Sequence, residues 1–250
     1  MMSDLITESV WLRPPRPGRG EQPSLGREPI VKAAIALLDA EGLAGLSMRR
    51  LGAKLGSGAT SLYWYVANKD ELLELTLDEV MGEVYLPEVD DTDWRTACTI
   101  FATSMRAMLL RHPWVPSLFG VRPNIGPNSM RLSDRAIAVL VKAGFTDMAV
   151  AHASSLLMSH ALGSAITTNA VNRSTRHAGK TINELFKELE PYLDRIAVDH
   201  ADYQRWWQAS GGSDLDHDAL IEEGFGFGLE RLLDGLELWL NRPSPDPRTR

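Results

Sequence analysis

The sequence predicts an all-α fold in two helical parts. Three observations carry this. Apolar residues recur at spacings of three and four along most of the chain, the period of a one-faced helix. No stretch of any length alternates as a strand does, and there is no tandem repeat. Residues 47–69, SMRRLGAKLGSGATSLYWYVANK, read as two short helices joined by a tight turn.

In that stretch Leu51 and Leu55 form an inward stripe, and Leu62 with Val66 repeats the spacing on the second helix. Gly56 falls where a left-handed cap residue is wanted. The other face of the second helix carries Thr60, Ser61, Tyr63, Trp64 and Tyr65. A solvated face rarely holds a Tyr-Trp-Tyr run unless something docks there. Small hydroxyls and aromatics at a helix start suit base edges and phosphates in a major groove.

The elements follow in order. Residues 1–25 hold an RPPRPGRG run with Arg13, Arg16 and Arg19 interleaved, a composition that cannot bury a core and predicts a disordered arm. Residues 27–41 form the first helix, started by Pro29, ended by Gly42, and inward-facing at Ile30, Ala33, Ala34, Leu37 and Leu38. Ser47 is the N-cap of the second helix, and the third spans about 59–65. Asn68 caps the fourth, with Glu71 completing a capping-box-like pair, and that helix continues to about Tyr85. Pro87 and a DDTD run break the chain there. Further helices are predicted over 92–111, 127–143, 146–171, 181–195 and 216–241, with a polar loop around Trp206 and Trp207. The resulting division is 1–25 arm, 26–70 helix-turn-helix domain, 71–90 connecting helix, 91–242 larger helical domain and 243–250 frayed tail.

At 250 residues and 44% hydrophobic content the chain can bury a sizeable core. Its net charge of −7 argues against a protein that coats nucleic acid generally. The charge is uneven: residues 1–69 carry +3 and the remainder −10. That asymmetry allows DNA binding confined to one end. The single cysteine, Cys98, permits no internal disulfide and fits a reducing cytoplasm. No apolar run approaches the roughly 18–20 residues of a membrane span, and no secretory signal is visible. The expectation is a cytoplasmic protein with no membrane partner.

The helix-1 pattern ending in EG, then LSMRRLGAKLG, then SLYWYVANKDELL, resembles the tetracycline-repressor (TetR) family of one-component bacterial regulators over residues 27–80. DWRTACTIFATSMRAMLLRHP, GVRP at 120–123, KAGF at 142–145 and FGFGLERLLDGLE at 225–237 look like the C-terminal domain of the tetracycline-repressor subgroup. The resemblance implies an all-α protein with an N-terminal three-helix helix-turn-helix DNA-binding domain. A larger C-terminal helical domain would bind a ligand and dimerise, and two subunits would read a palindrome in double-stranded DNA.

Carried over residue by residue, the DNA-binding set is Ser47, Arg49, Gly58, Ala59, Thr60, Ser61, Tyr63, Trp64, Tyr65 and Lys69. Arg49 matches an arginine that reaches guanine, whose O6 and N7 a guanidinium fits with two hydrogen bonds. Ala59, Thr60 and Ser61 stand where the tetracycline repressor has Gln-Pro-Thr, so the operator should differ. Ala59 would meet a thymine methyl instead of making a bidentate contact to adenine. Tyr63, Trp64, Tyr65 and Lys69 match backbone-contacting or wedge positions.

For the ligand, Tyr85 falls where the tetracycline site has a histidine, Phe101 and Met105 on positions of an asparagine and a phenylalanine, and Leu118 or Phe119 on that of a metal-binding histidine. Arg122, Pro123 and His160 are retained. A hard cation wants oxygen ligands, so no metal and no cofactor are expected. The expected pocket is apolar, with Arg122, Asn124, His160 and Thr168 as polar anchors and Ser164 beside them, suited to an aromatic or polycyclic effector. For the dimer, Gly224, Gly228, Leu232 and Gly235 on the last helix and Ala153, Leu157 and Ala161 on the helix over 146–171 would meet a second copy. The reading is a ligand-responsive regulator, a repressor released by its effector, and not an enzyme. Its rivals are an all-helical enzyme using His160 or His112 as base, and an interaction module that has lost specific DNA binding.

Overall fold

The protein, seen in a computed structural model, is described over residues 9–12 and 26–242. Among the described residues there are ten α-helices and no strand. They are α1 (Arg27–Gly45), α2 (Met48–Lys54), α3 (Ala59–Leu62), α4 (Lys69–Met81), α5 (Trp94–Arg111), α6 (Pro127–Ala143), α7 (Met148–Ala178), α8 (Ile182–Ala197), α9 (Ala201–Ala209) and α10 (His217–Leu240). Ser47 and Asn68 cap their helices as the sequence indicates, and Asp93, Thr181 and Asp216 do the same at three further starts, each accepting a backbone N–H with the side chain. Two helix readings in the body change. The loop around Trp206 and Trp207 is instead the helix α9, and α4 stops at Met81, which leaves Tyr85 in an extended segment.

The chain packs as two compact units, Met1–Leu162 and Gly163–Arg250. In the first, α1, α2 and α3 close around Ile30, Leu38, Leu51, Leu62 and Val66, all fully buried. Gly42 kinks α1 near its end (φ 69°). Gly56 adopts φ 62° after α2 and completes a Schellman closure. Its N–H donates to the Ala53 carbonyl at 3.2 Å, and the Ser57 N–H to the Gly52 carbonyl at 2.9 Å.

The middle of this unit is α4, buried on almost every side. Such a helix would ordinarily be apolar all round, yet Asp70, Glu74 and Asp78 form an acidic row along it. Each acid is engaged. Asp70 pairs with Arg122. The Glu74 carboxylate accepts from Ser9 Oγ at 2.6 Å and from the Val10 N–H at 3.1 Å. Burial pushes the Glu74 carboxyl up, and those two hydrogen bonds oppose the shift. Asp78 accepts from the Asn128 N–H at 3.2 Å and the Ser129 N–H at 2.9 Å. It thereby caps the start of α6 from another helix, where orphan donors and the helix dipole favour an anion. Gly126 makes this approach possible, because a Cβ there would lie 2.3 Å from Asp78 Cγ.

Part of the arm predicted to be disordered is therefore docked. Ser9 and Val10 are buried, and Val10–Leu12 form a 3-10 turn against α4. The rest of the arm, with Arg13, Arg16 and Arg19, and the tail over 243–250 lie outside the described residues.

The second unit is built around α8, α9 and α10. Thr181 and Glu184 form a reciprocal capping box at the start of α8. The His217 ring stacks on Phe186 with centroids 3.6 Å apart and faces Trp207, which is also buried. Burial pushes the imidazole down, opposed by Asp216 and Asp218.

Candidate nucleic-acid interface and ligand cleft

The Ser47–Lys69 stretch presents one exposed surface on a fully packed base. Arg49, Gly58, Thr60, Tyr63 and Trp64 are exposed, and Ser47, Ser61 and Tyr65 are half-buried. Trp64 is 67% and Tyr63 48% exposed. The regular part of α3 is shorter than the predicted 59–65. The chain nevertheless keeps turning past Leu62, whose carbonyl accepts from the Tyr65 N–H at 2.9 Å and the Val66 N–H at 3.0 Å. Ala59 begins α3, with Gly58 as its N-cap.

The two adjacent arginines of α2 have opposite situations. Arg50 donates to Glu41 Oε1 at 2.5 Å and to the Gly45 carbonyl at 3.1 Å, which ties α2 to the end of α1. Arg49 is exposed and has no hydrogen bond or ion pair among the described residues. A free guanidinium beside a protruding aromatic surface can offer its fork to a base edge or phosphate.

Lys69 is placed differently from the expected phosphate contact. Its Nζ donates to the Leu46 carbonyl at 2.8 Å and the Leu43 carbonyl at 2.9 Å. These are carbonyls at the frayed end of α1 that have no helical acceptor role left, so the ammonium acts as a clamp between α1 and α4. Lys69→Met is expected to cost about 1–2 kcal/mol of stability, the value of charge-assisted hydrogen bonds to backbone. Denaturant unfolding reads this directly. If the main role were a phosphate contact, stability would hold and the salt slope of DNA binding would fall by about 1 instead.

A second bracket joins the head to the body of the first unit. His112 Nδ1 lies 2.7 Å from Asp39 Oδ1, and Trp114 Nε1 donates to the same oxygen at 2.7 Å. His112 Nε2 sits 3.3 Å from Glu83. The imidazole is thus a buried connector at the end of α5, not a free base.

Between α5, α6 and α7 lies a cleft of about 670 Å³, within the size range of small-molecule sites. Met81 from α4 and Phe101 from α5 form part of its wall, with Ile137 and Val141 from α6 and Val150 and Met158 from α7. Asn124, Ser133, Ser154, Ser155 and Asp147 supply polar atoms. Of the expected ligand residues, only Phe101 and Asn124 line it.

The others lie elsewhere. Tyr85 is 60% exposed and edges a separate groove with Met81 and Arg135. Met105 and Leu118 are core, while Phe119 and Pro123 are half-buried in the 112–126 connection. Arg122 is committed to Asp70. His160 is half-buried and already has an interaction partner. Ser164 and Thr168 belong to the second unit, where Thr168 Oγ1 donates to the Ser164 carbonyl at 2.9 Å. Missed in the sequence were Ile137 and Val141; their exposed i, i+4 spacing with Ser133 along α6 was the available signal.

Among the described residues no group of three or more His, Cys, Asp or Glu side chains converges as a metal set would. Cys98 is buried, and burial pushes its thiol up to about 12, so it offers no thiolate nucleophile. Among the described residues no single helix is long and apolar enough to cross a membrane.

The expected dimer residues divide. On α10, Gly224 and Gly235 are exposed and Gly228 and Leu232 half-buried. Leu220, Phe227, Leu238 and Trp239 stand exposed along the same helix. Ala153, Leu157 and Ala161 of α7 are instead buried within the single chain. Their four-residue spacing marks the inward face of α7, and its exposed large hydrophobic residues are Met148, Leu156 and Ile166.

Comparison with known proteins gives a consistent result. Residues 30–76 match the family described as bacterial regulatory proteins, tetR family. Residues 86–240 match the tetracyclin repressor-like C-terminal domain. The chain is 35% identical over 234 residues to the HTH-type transcriptional repressor DrrR1 of Streptomyces coeruleorubidus, covering 92% of this chain and 84% of that protein. It is 40% identical over 171 residues to an HTH-type transcriptional regulator of Saccharopolyspora erythraea, covering 68% and 72%. Among solved structures, the Streptomyces coelicolor TetR family protein ActR in complex with actinorhodin superposes with a TM-score of 0.70 at 32% identity, covering 87% of this chain and 99% of that one.

Proposed function

Because the chain belongs to the tetR family of bacterial regulatory proteins, and is therefore a DNA-binding transcriptional regulator with a ligand-responsive domain, we propose that it is a homodimeric repressor of a palindromic operator. A small, largely apolar or aromatic effector held in the cleft between α5, α6 and α7 releases it. The observation that carries the DNA half is the pairing of an engaged Arg50 with an unengaged, exposed Arg49 beside Tyr63 and Trp64. The ligand half rests on the apolar lining of the cleft and on a neighbour whose structure holds actinorhodin. The relatives are repressors and regulators, not enzymes. The protein acts in the cytoplasm, where its operator is.

Arg49 reads a guanine and Thr60 and Ser61 meet neighbouring groups of the groove, while Tyr63, Trp64 and Tyr65 hold the backbone. A single four-residue reading helix buries too little for high specificity, so two copies are needed, related by a two-fold axis. The exposed row Leu220, Gly224, Phe227, Gly235 and Leu238 of α10 is the face that supports self-association. Small residues there let a partner helix approach closely, and large apolar ones supply the buried area. Transmission runs through α4. Met81 lines the cleft, and Asp78 holds the start of α6. A ligand that displaces α6 therefore moves α4, and α4 is clamped to the head by Lys69.

Fluorescence anisotropy tests this with a duplex from the DNA upstream of the protein's own gene and a scrambled duplex, each with and without 1-pyrenemethanol, a neutral polycyclic probe. The expected result is preferential binding to the upstream duplex that is lost on adding the compound. Equal binding to both duplexes contradicts the repressor reading.

A further inference from the structure

We propose that the effector is a cation, an apolar ring-bearing molecule whose protonated amine pairs with Asp147. This rests on the reading of the cleft as the effector site. Asp147 is the single ionisable side chain in the lining; the other polar groups there are the neutral Asn124, Ser133, Ser154 and Ser155. Asn124 is partly used already, since its Oδ1 accepts from Ser129 Oγ at 2.5 Å. Asp147 has no hydrogen bond or ion pair among the described residues.

The three cations on the adjacent helix α6 are committed elsewhere, Arg131 by donating to Asn128 Oδ1. Lys142 Nζ donates to the Val89 carbonyl at 3.0 Å and to Asp90 Oδ1 at 2.5 Å. Arg135 donates to the Leu86 carbonyl at 2.9 Å and pairs with Glu88. Nothing within the lining therefore neutralises the carboxylate.

The placement of Asp147 is also specific. It sits in the short connection between α6 and α7 with φ 50°, the one non-glycine residue at positive φ among the described residues. Aspartate tolerates that conformation better than most residues, often by bonding its own backbone. Here the carboxylate makes no such local bond, so the turn leaves it available at the cleft. Asp147 is solvent-exposed among the cleft's lining residues, and a lone anion beside apolar side chains attracts an ammonium. The 670 Å³ volume leaves room for a polycyclic body against Phe101, Ile137 and Val150.

Isothermal calorimetry with 1-pyrenemethylamine and 1-pyrenemethanol tests this, because the two probes share a ring system and differ in charge. The wild-type protein should bind the amine about three- to fivefold more tightly, as expected of one partly solvated ion pair. Asp147→Asn should abolish the preference and leave the affinity for the alcohol unchanged. Equal affinities in the wild type, or a preference that survives Asp147→Asn, overturn the assignment of charge while leaving the cleft as the effector site. If neither probe binds, or if both bind undiminished when Ala151→Trp fills the cleft, the cleft reading itself fails and this one with it.

Discussion

Replacing Arg49 with alanine is expected to lower operator affinity by about 1–3 kcal/mol, roughly 5- to 150-fold, and to leave binding to scrambled DNA nearly unchanged. The asymmetry follows from position. Arg49 is exposed and unengaged among the described residues, so its removal strains nothing inside the head. Its neighbour makes the control. Arg50 ties α2 to Glu41 and the Gly45 carbonyl, so Arg50→Ala should reduce stability and weaken both duplexes together through the fold. Anisotropy titrations of both variants at one salt concentration separate the two roles. Undiminished discrimination by Arg49→Ala would remove it from the base-reading set.

The second large effect is expected at Asp78. Its carboxylate takes the Asn128 and Ser129 N–H groups, and it is buried. Asp78→Ala leaves two donors at the start of α6 without their acceptor, in a place water does not easily reach. The cost should be about 3 kcal/mol, from a lost cap with charged hydrogen bonds. Gly126→Ala attacks the same junction by sterics, since its Cβ would fall 2.3 Å from Asp78 Cγ and 2.6 Å from Trp11. The functional consequence reaches further than stability. Asp78 joins the helix that leads to the reading head to the helix that walls the cleft. The milder Asp78→Asn, which retains one acceptor oxygen, should still bind DNA and ligand while releasing DNA less completely when the cleft is filled. Denaturant unfolding checks the first effect, and DNA release under saturating ligand checks the second. Full release by a stable Asp78→Asn would mean the coupling runs elsewhere.

The parts legible in the sequence were those with a local physical signature. The stripe of Leu51, Leu62 and Val66, the caps at Ser47 and Asn68 and the left-handed Gly56 all follow from short-range chemistry, and each appears in the fold. The acidic row of α4 was not legible, because Asp70, Glu74 and Asp78 look like a solvated face until Arg122, Ser9 and the start of α6 are brought to them. The clamp made by Lys69 was not legible for a related reason. A lysine after a DNA-reading helix suggests phosphate, and only the tertiary fold reveals the two carbonyls beneath it. In the cleft, residues drawn from a tetracycline site were matched by position along the chain. The space itself opens along α6, so Phe101 and Asn124 line it and Arg122 does not. The small residues Ala153, Leu157 and Ala161 illustrate a further ambiguity: a four-residue repeat marks a packed face, and either the same chain or a second copy can pack it.

In the proposed function, two heads of one dimer read a palindrome through the exposed surface around Arg49. Hydroxyl-radical footprinting on the upstream DNA tests it most directly. The expected pattern is two symmetric protected half-sites on one face of the duplex, with centres about one helical turn or a multiple of it apart, and the loss of both on Arg49→Ala. A single protected patch, uniform protection that ignores sequence, or the same two half-sites with Arg49→Ala would contradict it.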